Sequence, residues 1–325
     1  MDENQLLIAW DKAPNNAQNH AADVQFYVSE FFEQNGNWQT FSQASLITRE
    51  EFKKLLIQAQ SSANNCPQRQ WREPDKNEFL GYFQHFQSDL AAQKLEKVVP
   101  VVFASSSGHF SKAEKLKSLI HLMSLSTDVY AYGFWQENSG FLGATPEVLI
   151  VRKGYDFKTM ALAGTARKEG PNLLKVPKEL SEHQLVINDI SKKLANCQLQ
   201  WQGTHEWPMM NLKHLRTFAK GTSDDPIEDL IKSLHPTSAL GTSPSQSRNR
   251  LNEYCDPLLR KFFGSPFGVR VQGRELIVVA LRNIQWFNNH TYLGSGCGLV
   301  AGSEFEKEWQ ELSLKREFTK DFLDL

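Results

Sequence analysis

Two pairs of glutamates, far apart in the chain, carry a spacing that could do chemistry. Glu179 and Glu182 stand three residues apart, and so do Glu308 and Glu311. On a helix, residues at i and i+3 share a face, so each pair presents two carboxylates side by side. If the two helices faced each other, four carboxylates would converge, and such a nest cannot stay unpaired once buried. Mg²⁺ is the expected guest. It takes hard oxygen ligands, keeps some of its water, and leaves room for a ligand carboxylate. Ahead of the second pair runs GSGCGLVAGS, with Gly294, Gly296, Gly298 and Gly302 at close spacing. Glycine lets backbone N–H groups crowd an anion with no Cβ in the way. Lys315 lies one turn beyond Glu311 on the same face. Carboxylates holding a metal, and metal plus loop holding an anion, would reconcile the two features. Two solvated helix faces and a Gly-rich strand end account for the same spacing.

The elements that must position these groups can be read from periodicity. A helix is predicted from Lys178 through Ile190 towards Asn196, and another after Ser303, which reads as its N-cap with Glu306 as capping-box partner. Further helices are predicted at 48–60, 75–95, 111–124, 226–234 and near 251–262. Lys97-Val98-Val99-Pro100-Val101-Val102-Phe103 reads as a buried strand with Lys97 at its entrance. Strands are expected at 129–135, through FLGATPEVLIVRKG and YDFKTMALAG with a hairpin turn at Gly154, twice within 198–219, and at 267–272, 275–283 and 287–293. Residues 1–45 read as short strands with Asn/Gln-rich turns such as Pro14-Asn15-Asn16, and 61–75 as a loop. Runs of antiparallel strands followed by helices indicate an α+β fold rather than a βαβ repeat.

Bulk properties narrow the function classes. A chain of 325 residues can bury a large core, and its 40% hydrophobic, 22% charged make-up is that of a globular protein. A net charge of −1 points away from nucleic acid and anionic membranes. No apolar run is long enough to span a bilayer, and the acidic start MDENQLLIAW does not read as a secretory signal. Cys66, Cys197, Cys255 and Cys297 form no CxxC pair, which argues against a zinc ribbon and for a reducing, cytoplasmic setting.

From about Leu95 onward the chain resembles the chorismate-utilising enzymes: isochorismate synthase, salicylate synthase, and component I of anthranilate and aminodeoxychorismate synthases. The resemblance rests on motifs in order: KVV at 97–99, FLGATPE at 141–147, LAGT at 162–165, KELSEHQLV at 178–186, HPTSALG at 235–241, ALR at 280–282, and GSGCGLVAGS with EWQELSLK. It implies two large antiparallel β-sheets packed together, helices outside, and an active site between the sheets. Residues 71–325 would be the catalytic core and 1–70 a short, diverged N-terminal part of the same domain. Glu182 and Glu311 match the direct Mg²⁺ ligands, and Glu179 and Glu308 those acting mainly through metal-bound water. Gly296 and Gly298 match backbone that contacts the ring carboxylate of chorismate, with Lys315 close by. Arg282 matches the arginine on the pyruvyl carboxylate, Gly164 and Thr165 the loop over the ring, and His235 the active-site histidine. Lys97 matches the lysine base of the water-using members, and Glu147 the general acid.

The resemblance also implies a branch. Ala163 stands where aminodeoxychorismate synthases carry a nucleophilic lysine, which speaks against covalent amination. Lys97 favours water over ammonia as nucleophile. The expected activity is Mg²⁺-dependent isochorismate synthesis on free chorismate by a monomer or dimer, with no nucleic-acid or membrane partner. Salicylate synthase, the ammonia-using synthases and a non-catalytic chorismate binder are the alternatives. Departures from the family pattern include Phe263, where a tyrosine is common, and Phe103, where an arginine is common.

Overall fold

The computed structural model describes residues 5–11, 24–33, 35–60, 69–125, 129–209 and 212–325. The turn expected at Pro14-Asn15-Asn16, much of the expected 61–75 loop, and Cys66 lie outside the described residues. The chain opens with β1 (Gln5–Trp10), β2 (Val24–Val28), β3 (Asn37–Thr40) and β4 (Gln43–Thr48), then helices α1 (Arg49–Gln60) and α2 (Lys76–Ala91). The expected 97–103 strand is split into β5 (Lys97–Val98) and β6 (Val101–Ser107). Pro100 interrupts it, because proline has no N–H to give a ladder. Helix α3 (Lys112–Leu122) leads to β7 (Tyr130–Trp135), β8 (Gly140–Thr145), β9 (Val148–Lys153) and β10 (Asp156–Arg167). Helix α4 (Pro177–Lys193) precedes β11 (Gln200–Trp201), β12 (His205–Met209), β13 (Leu212–Thr222) and α5 (Ile227–Leu234). After β14 (Thr242–Ser243), the helix expected near 251–262 is instead a 3₁₀ stretch at Ser245–Glu253 and one turn, α6 (Pro257–Arg260). Pro257 forces that restart: it fits the first turn of a helix but not its interior. The chain ends with β15 (Pro266–Val271), β16 (Arg274–Val279), β17 (Asn283–Phe287), β18 (His290–Gly296), β19 (Leu299–Val300) and α7 (Phe305–Leu323).

Two large antiparallel sheets form the body. One has nine strands in the order β11-β13-β10-β9-β16-β15-β2-β3, with β12 also on β13; the other has five, β6-β18-β17-β8-β7. Side chains alternate between the two faces of a strand, and the apolar residues follow. Met160 and Leu162 of β10 join Phe141 of β8 and Tyr132 of β7 in a cluster between the sheets. The odd-numbered neighbours Phe157, Ala161 and Ala163 turn the other way, onto Val186 and Ile190 of α4 and onto α5. Leu142 and Ala144 of β8 likewise face outward to Leu116 of α3 and Phe318 of α7. This is the expected α+β architecture, two packed sheets with helices outside.

The N-terminal residues are woven into it. β2 pairs with β15 along the edge of the nine-stranded sheet, and Phe31 is fully buried in the core beneath it. β1 and β4 form a separate ribbon, and no described helix is long and apolar enough to cross a membrane.

Candidate active site

Glu147 and Arg282 sit where the chain steps from one sheet to the other. β8 lies in the five-stranded sheet and β9 in the nine-stranded one, with Pro146 and Glu147 between them. The strand expected at 275–283 is in fact two: β16 ends at Val279, β17 starts at Asn283, and they belong to different sheets. Arg282 makes the step at φ 51°, in the left-handed region that costs a branched or bulky residue energy. Neighbours hold the step: Asn283 Nδ2 donates to the Ala280 carbonyl at 2.9 Å, and the Tyr132 hydroxyl to that of Leu281 at 2.7 Å. Glu147 and Arg282 line a cavity of about 90 Å³ between the sheets. Burial pushes the Glu147 carboxyl up to about 7, although Arg282, Lys97 and Lys315 each pull it down. Burial lowers the Arg282 guanidinium to about 10, against the opposing charge of Glu147.

The four glutamates lie at the outer end of this cavity. Glu182 and Glu311 line it, while Glu179, Glu308 and Glu311 line a wider groove of about 720 Å³ that opens to solvent. The two expected helices are present, and each buries the carboxylates on its inner face with apolar residues: Glu179, Glu182, Val186 and Ile190 on α4, and Glu308 and Leu312 on α7. Three lysines reach the carboxylates. Lys97 Nζ lies 3.0 Å from Glu182 Oε1, Lys178 Nζ 2.7 Å from Glu308 Oε1, and Lys315 Nζ 2.7 Å from Glu311 Oε1. The resulting shifts differ. Burial raises Glu179 and, with help from Glu311, Glu308, which reaches about 7. Burial also works to raise Glu182, but Lys97 and Lys178 outweigh it and hold that carboxyl below its ordinary value.

Two glycines make the convergence possible. Gly164 interrupts the β10–β13 register with a bulge at φ +76°, which aims the Thr165 N–H at Glu179 Oε2, 3.1 Å away. A Cβ on Gly298 would fall 2.1 Å from Glu182 Oε1, so a side chain there would push the carboxylate from its present position. Gly296 offers its carbonyl to Lys315 Nζ at 2.8 Å. Lys97 is fully buried behind Glu182.

Two expectations need correction. Ser303 does not cap α7: its hydroxyl accepts from the Val300 N–H at 3.1 Å, and Glu306 pairs with Lys76 at 2.8 Å. The strand turn before the helix reaches Ser303 first. His235 does not reach the cavity either. Its ring is buried against Phe31, with Nε2 2.9 Å from the Phe31 carbonyl. The histidine that lines the cavity is His214, on β13 opposite Thr165. Arg282 donates to its Nε2 at 2.8 Å, so Nε2 has no proton; Nδ1–H then donates to the Gly164 carbonyl at 3.2 Å. Burial and the adjacent Arg282 hold this imidazole neutral. A lone histidine in an alternating strand gave no signal of this; only the β10–β13 pairing brings it beside the LAGT motif.

The donor set fits a divalent cation. Glu308 Oε2 is buried with no hydrogen-bond partner, so one carboxylate oxygen is still unsatisfied after Lys178 has paired with the other. Hard carboxylate oxygens on two facing helices, beside a groove that admits water, suit Mg²⁺. The ligand atoms of the four are not drawn to within 4.8 Å of one another; among the described residues that holds only for His85, Asp89 and Glu253, which Arg250 already bridges.

Comparison with known proteins shows the family and the fold. The chorismate binding enzyme family matches residues 16–323, starting well before Leu95, where the resemblance was expected to begin. Isochorismate synthase MenF of Bacillus subtilis is 28% identical over 260 residues, 75% of this chain and 55% of the relative, so the chain spans about half the length of that protein. The salicylate biosynthesis isochorismate synthase of Pseudomonas aeruginosa is 27% identical over 340 residues, 88% of this chain and 71% of the relative. The structure of MenF, the menaquinone-specific isochorismate synthase from Escherichia coli, superposes with a TM-score of 0.74 at 21% identity, over 93% of this chain and 79% of that one, which shows the fold. With 16–323 matched, this chain belongs to the chorismate binding enzyme family.

Proposed function

We propose that the protein is an Mg²⁺-dependent isochorismate synthase, in which water adds at C2 of chorismate as the C4 hydroxyl leaves. The observation that carries this reading is the position of the cavity. It has a carboxyl that burial brings to about 7 at one end, an acidic quartet at the other, and a buried lysine behind the quartet. Glu182 and Glu311 would hold the metal, with Glu179 and Glu308 beside them; bound there, it would offset part of their negative charge and supply a counter-charge for the ring carboxylate. Arg282, braced by His214, offers a planar fork to the pyruvyl carboxylate. Lys315 and the Gly296–Gly298 backbone close the acidic end.

The proton traffic needs one donor and one acceptor. Glu147 is about half protonated near neutral pH and gives its proton to the departing C4 hydroxyl, which leaves as water. Lys97 takes the proton from the attacking water. Its Nζ lies 3.0 Å from Glu182 Oε1, at the acidic end of the cavity. The apolar wall formed by Phe263 and Leu162 keeps bulk water from the ring.

Incubation with chorismate and Mg²⁺, with products separated by chromatography, tests the assignment. Isochorismate alone is expected. Salicylate with pyruvate would make it a salicylate synthase, an aminated product on adding ammonium would move it to the ammonia-using branch, and saturable binding without turnover would make it a chorismate binder.

A further inference from the structure

We infer that Lys178 is a tethered cation that holds the acidic quartet until a divalent ion displaces it into the groove, and that it thereby sets the metal affinity of the site. The inference rests on the metal-binding reading above. Lys178 Nζ sits 2.7 Å from Glu308 Oε1 and 3.5 Å from Glu179 Oε1, so it bridges a carboxylate from each helix. Its place in the chain is otherwise unfavourable. It follows Pro177 in the first turn of α4, where the helix dipole favours an anion over a cation.

The three lysines are not equivalent. Lys97 is fully enclosed. Lys315 also donates to the Gly296 carbonyl, which ties it to the loop. Lys178 lines the open groove, its side chain is 26% exposed, and the contacts described for its ammonium are both carboxylates. It alone of the three can swing out to water without leaving a backbone carbonyl behind. Charge points the same way. With all four carboxylates ionised, three ammonium groups leave one net negative charge, and exchanging Lys178 for a divalent ion brings the cluster to neutrality. Holding Lys178 in place therefore reduces the fraction of molecules ready for metal, and the apparent metal Kd rises as the inverse of that fraction.

Titration calorimetry with Mg²⁺ and no substrate tests this on the wild-type, Lys178→Met and Lys178→Arg proteins. Lys178→Met is expected to bind Mg²⁺ about tenfold more tightly than wild type, as a site ready only about a tenth of the time would become ready always. Lys178→Arg, still cationic, should stay near wild type. An unchanged or weaker affinity in Lys178→Met would overturn the inference and leave the metal site standing. If wild type itself takes up no Mg²⁺ at millimolar concentration, the metal reading fails and this one with it. A second measurement needs no variant: amine-reactive labelling of wild type, read by mass spectrometry. Lys178 should label several-fold faster once Mg²⁺ is added; equal or slower labelling overturns the displacement.

Discussion

Glu147 and Glu308 reach the same place by different company. Both are buried, and burial brings each carboxyl to about 7. Around Glu147 the neighbouring charges are Arg282, Lys97 and Lys315, all of which favour the carboxylate. Around Glu308 the next largest influence is Glu311, a like charge that disfavours it, with Lys178 opposing. At equal values the two carboxyls give up a proton equally readily, but the anion left at Glu147 faces three cations, Arg282, Lys97 and Lys315. At the acidic end, loss of the proton adds a fourth negative charge to a cluster that holds only three ammonium groups. On the proposed function, a raised carboxyl is a proton donor in one setting and a metal-facing group in the other.

The comparison predicts different failures at the two ends. Glu147→Gln keeps the shape and removes the proton, and turnover should fall roughly 10²–10⁴-fold while Mg²⁺-dependent chorismate binding holds. Lys97→Ala should do the same for water addition. Near-normal turnover in Glu147→Gln would mean that the acid lies elsewhere; equal loss of binding and turnover in Lys97→Ala would make that lysine a structural partner of Glu182. Glu311→Gln should fail in the opposite order. Its Mg²⁺ affinity, followed by calorimetry, should drop at least about 100-fold, the upper end of what even outer partners of a metal contribute. Chorismate affinity should fall with it.

A smaller effect is expected between the two ends. His214→Phe removes the acceptor that Arg282 uses and leaves a buried guanidinium N–H unpaired. A lost bond to a charged group is worth roughly 1.5–3 kcal/mol, so KM for chorismate should rise on the order of tenfold or more, with kcat less affected. A lower kcat at unchanged KM would place His214 in the chemistry rather than behind the arginine.

What was legible in the sequence divides along the same line. The acidic end could be read from spacing, since Glu179/Glu182 and Glu308/Glu311 keep the helical period that also buries Val186, Ile190 and Leu312. Most helices and strands followed for the same reason. The cationic end was harder, because it depends on where strands change sheets. Nothing local marks Arg282 as a break in what reads as one apolar strand, and nothing local sets His214 opposite Thr165. His235 stood out only through its motif, and tertiary packing claimed it for the carbonyl of Phe31, far away in the chain. Gly164 and Gly298 were visible as glycines, but the carboxylates they make room for were not.

The smallest effect is thermodynamic and separates the two ends without turnover. Glu308 and Glu147 have folded-state values near 7, above the ordinary carboxyl value of 4.5. Between those limits the folded protein binds more protons than the unfolded chain, so these two groups withdraw stability as pH rises from about 4.5 to about 7, and no further above it. On the proposed reading protons and metal would compete at Glu308, whereas Glu147 lines the inner cavity. Added Mg²⁺ should therefore raise the melting temperature more at pH 8 than at pH 5.5, by a few degrees. In Glu147→Gln that pH-dependent gain should persist; in Glu308→Gln it should shrink, because the proton that competes with the metal has lost its site. A gain equal at both pH values in wild type would mean that Glu308 takes no part in holding the ion, and that its elevated value reflects enclosure beside Glu311 alone.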